Sequence, residues 1–188
     1  MNFPTIKTQR LVLNELTEND TDSIYKLFSD DKVVEFYDLD VFSSSTQASD
    51  LIAFLVKRFT EQQGIRWAIR LDTNGKLIGT CGFNSWMPKM QTAVIGYDLM
   101  KGFWGQGFAA EAVEAILQEG FKGGLPCGKL NRVQADTVKG NIASEKLLKK
   151  LGFVEEGVRR QAGYWKGQYH DLKCYGLIRT DFSGANSR

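Results

Sequence analysis

The chain has 188 residues, 43% of them hydrophobic, so it can bury one sizeable core but is short for two full domains. Its formal net charge is only +2, which argues against binding to a nucleic-acid duplex or an anionic membrane. The three cysteines stand far apart and the single histidine, His170, has no histidine partner, so we expect no metal site. Since there is no signal-like or membrane-spanning apolar run, we expect a cytoplasmic protein with reduced thiols.

The first half of the chain predicts a strand, two helices and an antiparallel meander. Residues 10–16 alternate between apolar and polar, and the capping residues from Thr17 to Asp22 then open a helix. A second helix is predicted over residues 46–62, and the irregular stretch 33–45 between the helices is a candidate lid. Three strands follow, over residues 66–71, 76–83 and 93–99. Because Asn-Gly favours a tight hairpin turn, the first two should pair through residues 72–75.

The second half predicts a helix, a strand, a helix and a final pair of strands. A helix begins near Phe108 and is closed by two glycines, and a strand over residues 130–138 follows it. Asn141 caps a short helix that Gly152 ends. The last strands, 153–160 and 169–178, should join near Lys166 and Gly167. This order predicts a single mixed α/β domain over residues 1–180, with a frayed tail at 181–188.

The turn between the third strand of the meander and the next helix is a candidate anion site. It holds Gly102, Gly105 and Gly107, so the backbone can approach a phosphate closely. The unpaired N–H groups and the dipole of the helix N-terminus attract negative charge there. Glycine before a helix can also be turn geometry alone, so the turn by itself decides little. A P-loop is excluded because no GxxxxGK[ST] occurs, and a dinucleotide fold would place its glycines after the first strand of a βαβ unit.

Three motifs in order give the turn a more specific meaning. They are Gly96-Tyr97-Asp98-Leu99 with Trp104-Gly105-Gln106-Gly107-Phe108-Ala109, then Asn141-Ile142-Ala143-Ser144, then Leu151-Gly152-Phe153. Together they resemble the GNAT superfamily of N-acetyltransferases. Within it, Gly167-Gln168-Tyr169-His170-Asp171 is similar to a segment of the ribosomal-protein N-terminal (RimJ/RimL-type) branch. The resemblance runs from about Leu11 to Ile178 and is most specific between Gly96 and Phe153.

The resemblance implies a fold, a donor and a set of donor-binding residues. The fold is a central, mostly antiparallel sheet with helices on both faces and a V-shaped gap between two parallel strands. The donor is acetyl-CoA, without a metal. Its pyrophosphate would lie on the backbone amides of Trp104, Gly105, Gln106, Gly107, Phe108 and Ala109. The other implied donor-binding residues are Leu99, Met100, Asn141 and Ser144.

The implied chemistry is direct transfer of acetyl to an amine. A backbone N–H near Leu99 or Met100 would stabilise the oxyanion, and the Ser144 hydroxyl would donate a proton to the leaving thiolate. Asn141 and Ser144 also suit a plain helix cap, and both roles can hold together. Trp104 stands where many members of the superfamily have Arg or Gln. This difference leaves the backbone amides of the turn in place but removes any contact that an Arg or Gln side chain would make with the donor.

The sequence does not identify the general base that would remove a proton from the amine. Many relatives carry a Glu at the position of Val94, and some ribosomal-protein acetyltransferases use a Glu at the position of Gly163, so neither carboxylate is present. An α-amine, with a pKa of about 8, loses its proton more easily than a lysine side chain, which modestly favours an N-terminal acceptor. His170 with Asp171 could relay a proton, although a lone histidine is often structural. Glu35, in the candidate lid, is another candidate for the general base.

The acceptor is open as well. Aromatic residues in or beside predicted loops form either an acceptor pocket or the edge of the core; they are Phe36, Tyr37, Trp86, Tyr164 and Trp165. The leading hypothesis is the α-amine of a protein or peptide, such as a ribosomal protein. A polyamine, amino acid or aminoglycoside is the alternative, supported by the acids of the lid, and a CoA-binding module without catalysis is a third. The sequence does not determine the oligomeric state, and a homodimer is one possibility.

Overall fold

One mixed sheet forms the centre of the protein. In the computed structural model, which describes residues 2–183, the strands are β1 (Ile6–Lys7), β2 (Leu11–Asn14), β3 (Ile65–Leu71), β4 (Leu77–Met87), β5 (Thr92–Leu99), β6 (Arg132–Val138), β7 (Val154–Trp165) and β8 (Gln168–Ile178). The helices are α1 (Thr21–Phe28), α2 (Ser45–Thr60), α3 (Phe108–Lys122) and α4 (Ile142–Lys150). The strand order is β1-β2-β3-β4-β5-β6-β8-β7. Each pair of neighbours is antiparallel except β5 and β6.

Helices cover both faces of the sheet and enclose two hydrophobic clusters. Trp67 and Ala68 are fully buried neighbours on β3, yet they belong to different clusters, because successive side chains of a strand point to opposite faces. Trp67 packs with residues of α3 and α4, which defines the α3–α4 face of the sheet. Ala68 packs with residues of α1 and α2, which defines the α1–α2 face.

The sheet opens between its two parallel strands. β5 and β6 pair only over Thr92–Val94 and Arg132–Gln134, although β5 continues to Leu99 and β6 to Val138. The two strands therefore leave a gap beyond residue 94, and the N-termini of α3 and α4 follow shortly after its two arms. This gap confirms the V-shaped opening expected between parallel strands.

The sequence predictions of the fold are confirmed, with small differences at the ends of elements. β4 and β7 run four and five residues beyond their predicted ends, and the two-residue strand β1 was not predicted. Gly152 has a φ of 90°, as expected of a residue that ends a helix.

The C-terminal limit of the domain stays a prediction. Within the stretch predicted to be frayed, Phe182 lies 5.2 Å from Phe121 between ring centroids, and residues 184–188 lie outside the described part of the chain. Among residues 2–183, no helix is long and apolar enough to cross a membrane.

Candidate functional site

The glycine turn leads into a row of backbone N–H groups at the start of α3. Between β5 and α3, the Trp104 N–H donates to the carbonyl of Lys101, and the Glu111 N–H makes the first bond of the helix, to Gly107 O. In the described residues 2–183, the six N–H groups from Gly105 to Ala110 make no hydrogen bond within the protein. Gly105 and Gly107 have φ values of 74° and 82°, which L side chains rarely adopt. The turn is therefore shaped to receive an anion at a helix N-terminus.

A side-chain anchor that the sequence did not reveal fixes this turn. Arg10, in the turn between β1 and β2, donates from Nη1 to Gln106 O at 3.0 Å and from Nε to Glu111 Oε2 at 2.7 Å. Its guanidinium lies 4.3 Å from the centre of the Phe108 ring. Burial by itself raises the pKa of Glu111, but hydrogen bonds from Thr8 and Arg10 outweigh it and hold that pKa below its ordinary value. Glu111 thus stays ionised and ties α3 to the edge of the sheet.

At the end of β5, Leu99 and Met100 differ in what their amides can do. The Met100 N–H donates to Ile78 O at 2.8 Å, so it is already used within the sheet. Successive N–H groups of a strand point to opposite edges, so the Leu99 N–H points into the gap beside β6. The indole of Trp104 donates to the carbonyl of Leu99 at 2.6 Å. Trp104 thus contacts the residue predicted to stabilise the oxyanion, a role that the sequence did not suggest.

Ser144 lies at the first turn of α4 and is held at two points. Its N–H donates to Asn141 Oδ1 at 3.2 Å, which confirms Asn141 as the helix cap. Its hydroxyl lies 2.6 Å from the hydroxyl of Tyr97 on β5. Burial raises the pKa of Tyr97 to about 12, partly offset by the bond to Ser144. The cofactor candidates Leu99, Asn141 and Ser144 therefore surround one gap.

The α1–α2 face carries a buried polar cluster beside the same gap. Arg66 on β3 pairs with Asp98 on β5, and both also bond to Thr80 of β4, which lies between them. Tyr37, from the candidate lid, donates to Asp98 at 3.1 Å and accepts from Arg66 at 3.1 Å. A side chain at Gly96 would collide with Arg66 and Asn84, so the glycine makes room for the cluster. Of the predicted acceptor residues, Tyr37 is thus fixed over the sheet by its hydroxyl.

The space beside Gly163, where some relatives carry a glutamate, is filled by the ring of Trp165. A Cβ on Gly163 would meet the Trp165 side chain at 2.0 Å, and the Trp165 ring stacks on His170 with 4.1 Å between centroids. His170 Nε2 lies 3.2 Å from the backbone oxygen of Trp165. Asp171 instead accepts from the Gln161 N–H at 2.8 Å, and no hydrogen bond joins it to His170 in the described chain. The structure therefore does not assemble the His170–Asp171 relay, and His170 packs against the indole.

The remaining acceptor candidates are dispersed. Trp86 is only 8% exposed and belongs to the hydrophobic cluster on the α3–α4 face, so it is a core residue rather than a pocket wall. Tyr164 is exposed and lies 4.8 Å from Tyr169, between ring centroids, near the end of the β7–β8 hairpin. In the lid, Glu35 is exposed and paired with Lys32, and Phe36 is half-buried.

Sequence comparison identifies the family. Residues 10–154 match the profile described as an acetyltransferase (GNAT) domain. The chain is 36% identical over 177 residues to an uncharacterized N-acetyltransferase, YoaA, of Bacillus subtilis (strain 168), covering 94% of this chain and 98% of that protein. It is 29% identical over 117 residues to the ribosomal-protein-serine acetyltransferase of Escherichia coli (strain K12), covering 62% of this chain and 63% of the other.

Solved structures share the fold. RimL, a ribosomal alpha-N-protein acetyltransferase, superposes with a TM-score of 0.83 at 22% identity, covering 94% of both chains. MccE, a microcin self-immunity acetyltransferase in complex with acetyl-CoA and AMP, gives a TM-score of 0.82 at 21% identity and covers 91% of this chain and 93% of the other. The chain belongs to the GNAT acetyltransferase family. It is accordingly an enzyme, an N-acetyltransferase.

Proposed function

We propose that the enzyme transfers acetyl from acetyl-CoA directly to the N-terminal α-amine of a protein or peptide. The observation that carries the choice of donor is the row of six N–H groups from Gly105 to Ala110 at the start of α3, which have no hydrogen-bond partner among residues 2–183. GNAT-fold acetyltransferases use acetyl-CoA, as the complex of MccE illustrates. No metal takes part in the proposed reaction.

The residues around the gap fit this donor. The free amides of the turn would hold its pyrophosphate, because they converge at the positive end of a helix dipole. The gap between β5 and β6 would take the pantetheine arm, with Asn141 at one side and Leu99 at the other. The bound donor supplies an activated acetyl group as a thioester.

The chain's own groups would then act on the two ends of the reaction. The Leu99 N–H would donate to the thioester oxygen, which gains negative charge when the amine attacks. Ser144 would donate its hydroxyl proton to the leaving sulfur. Val94 and Gly163 offer no carboxylate, so the amine would lose its proton to water. An α-amine suits this arrangement because its pKa of about 8 leaves part of it neutral near pH 7.

The charges on the α1–α2 face support a singly charged acceptor. Three carboxylates on strands β5, β6 and β7 of this face are each paired with an arginine: Asp98 with Arg66, Asp136 with Arg159, and Glu156 with Arg132. A polyamine or aminoglycoside carries several positive charges and would need unpaired carboxylates. The second candidate, a small polycationic amine, rests on acids of the lid stretch instead: Asp30, Asp31, Glu35, Asp38 and Asp40.

An acceptor panel tests the proposal. The purified enzyme would be given acetyl-CoA with peptides that have free or blocked N-termini, with spermidine, and with an aminoglycoside, while CoA release and product mass are followed. We expect CoA release with free N-termini and acetyl on the α-amine. CoA release with spermidine alone would support the second candidate. Binding of acetyl-CoA without CoA release for any of these amines would refute the proposed acceptor.

A further inference from the structure

One hydrogen bond spans the gap in the sheet. Tyr97 lies on the β5 arm, beyond the last residue that pairs with β6, whereas Ser144 lies on α4, which follows the β6 arm. Their hydroxyl oxygens are 2.6 Å apart. The backbone of Ser144 is held separately by the Asn141 cap. Ser144 is therefore held at two points, its backbone by Asn141 and its hydroxyl by Tyr97.

The two protons of this pair can be arranged in two ways. Each hydroxyl has one proton, and either oxygen can be the donor of the bond between them. Because burial raises the pKa of Tyr97 to about 12, Tyr97 keeps its proton near neutral pH. When Tyr97 donates to Ser144, the proton of Ser144 is free to point elsewhere.

We propose that Tyr97 is a positioning residue that directs the Ser144 proton toward the leaving sulfur, an inference that rests on the proposed function. As the C–S bond breaks, its electron pair stays on sulfur and the Ser144 proton moves to that sulfur. The Tyr97 hydroxyl meanwhile donates to the Ser144 oxygen and stabilises the negative charge that develops there. Ser144 then regains a proton from water, which has received the proton lost by the amine.

Another tyrosine on the same face of the sheet provides a control. Tyr175 on β8 also lies on the α3–α4 face, is fully buried, and donates its hydroxyl to Glu155 at 3.2 Å rather than to Ser144. Tyr175→Phe therefore removes a phenol hydroxyl on the same face of the sheet but no hydrogen bond of Ser144 or Tyr97. Tyr97→Phe keeps the ring and removes only the hydroxyl.

The test is a set of single and double variants assayed for CoA release, from which the rate of the same mixture without protein is subtracted. Hydroxylamine serves as the amine, because it is unprotonated near neutral pH and small enough not to depend on the acceptor pocket. We expect Tyr97→Phe to lower kcat about tenfold with an unchanged acetyl-CoA KM, and Ser144→Ala to lower it by the 10²-fold or more that general acid catalysis provides. Tyr97→Phe should cost nothing further in the Ser144→Ala background, and Tyr175→Phe should keep the wild-type kcat.

Three results would overturn the inference. They are an unchanged kcat in Tyr97→Phe, an equal loss in the wild-type and Ser144→Ala backgrounds, and an equal loss in Tyr175→Phe, which would indicate a general packing effect. Failure of the proposed function is distinguishable, because the wild-type protein would then release CoA no faster than hydroxylamine and acetyl-CoA react without protein.

Discussion

The buried pair of Arg66 and Asp98 should contribute strongly to folding, and Asp98→Asn tests this. The side chains are 7% and 1% exposed, and the carboxylate also accepts from Thr80 and Tyr37. Removing one partner of a buried pair typically costs about 3–5 kcal/mol, because the other charge stays buried without compensation. In a chain of 188 residues, 1 kcal/mol shifts the midpoint of thermal unfolding by about 2–4 °C, so the midpoint should fall by roughly 6–20 °C.

The assay is thermal unfolding followed by circular dichroism, with Asp136→Asn as the control. Asp136 and Arg159 also form an ion pair, but their side chains are 30% and 56% exposed, and such pairs contribute about 0–1 kcal/mol. The double variant Arg66→Met with Asp98→Leu should recover much of the loss, because it leaves no unpaired buried charge. If Asp98→Asn unfolds within about 2 °C of Asp136→Asn, the reasoning about this pair is wrong.

Three further substitutions test the environment of the site. Glu111→Gln should lower the free energy of unfolding by about 1 kcal/mol at neutral pH. Because hydrogen bonds from Thr8 and Arg10 hold the folded pKa of Glu111 below its ordinary value, this difference should vanish in urea titrations as the pH falls through that folded pKa. A pH-independent difference would contradict this. Trp104→Phe should lower kcat/KM for acetyl-CoA about fivefold, because the bond to the Leu99 carbonyl is worth about 1 kcal/mol, and an unchanged value would exclude a role in fixing that residue. Gly163→Glu should destabilise the fold by about 1–3 kcal/mol in thermal melts, because its side chain would collide with the Trp165 ring. The loss should be smaller in a Trp165→Ala protein, which lacks that ring. An equal loss in the wild-type and Trp165→Ala proteins would refute the clash.

The sequence predicted those features that depend on local patterns. Alternation and helical periodicity gave the strands and helices, and Asn141 and Gly152 marked the two ends of α4 because capping uses few residue types. The parallel gap came from the family resemblance rather than from periodicity. The two-residue strand β1 was missed because two residues cannot display an alternation.

The side-chain pairs could not be predicted from the sequence. Arg10 and Glu111 are 101 residues apart in the chain. Periodicity assigns a residue to one face of its helix or strand, but it does not identify the distant residue that it contacts. The Tyr97–Ser144 bond depends in the same way on how α4 packs against β5. Trp86 was read as a loop aromatic because the predicted strand stopped at residue 83, whereas β4 continues to Met87 and carries Trp86 into the core.

The central claim is that the glycine turn binds the pyrophosphate of acetyl-CoA, and calorimetric titration of Gly107→Ala tests it most directly. Gly75→Ala is the matched control, because Gly75 also has a positive φ, of 69°, but lies in the β3–β4 hairpin. We expect Gly107→Ala to weaken acetyl-CoA binding at least tenfold, and Gly75→Ala to bind like the wild type. Acetyl-pantetheine, which lacks the pyrophosphate, should bind weakly to the wild type and equally to Gly107→Ala. Acetyl-CoA affinities that are equal in all three proteins would contradict the claim.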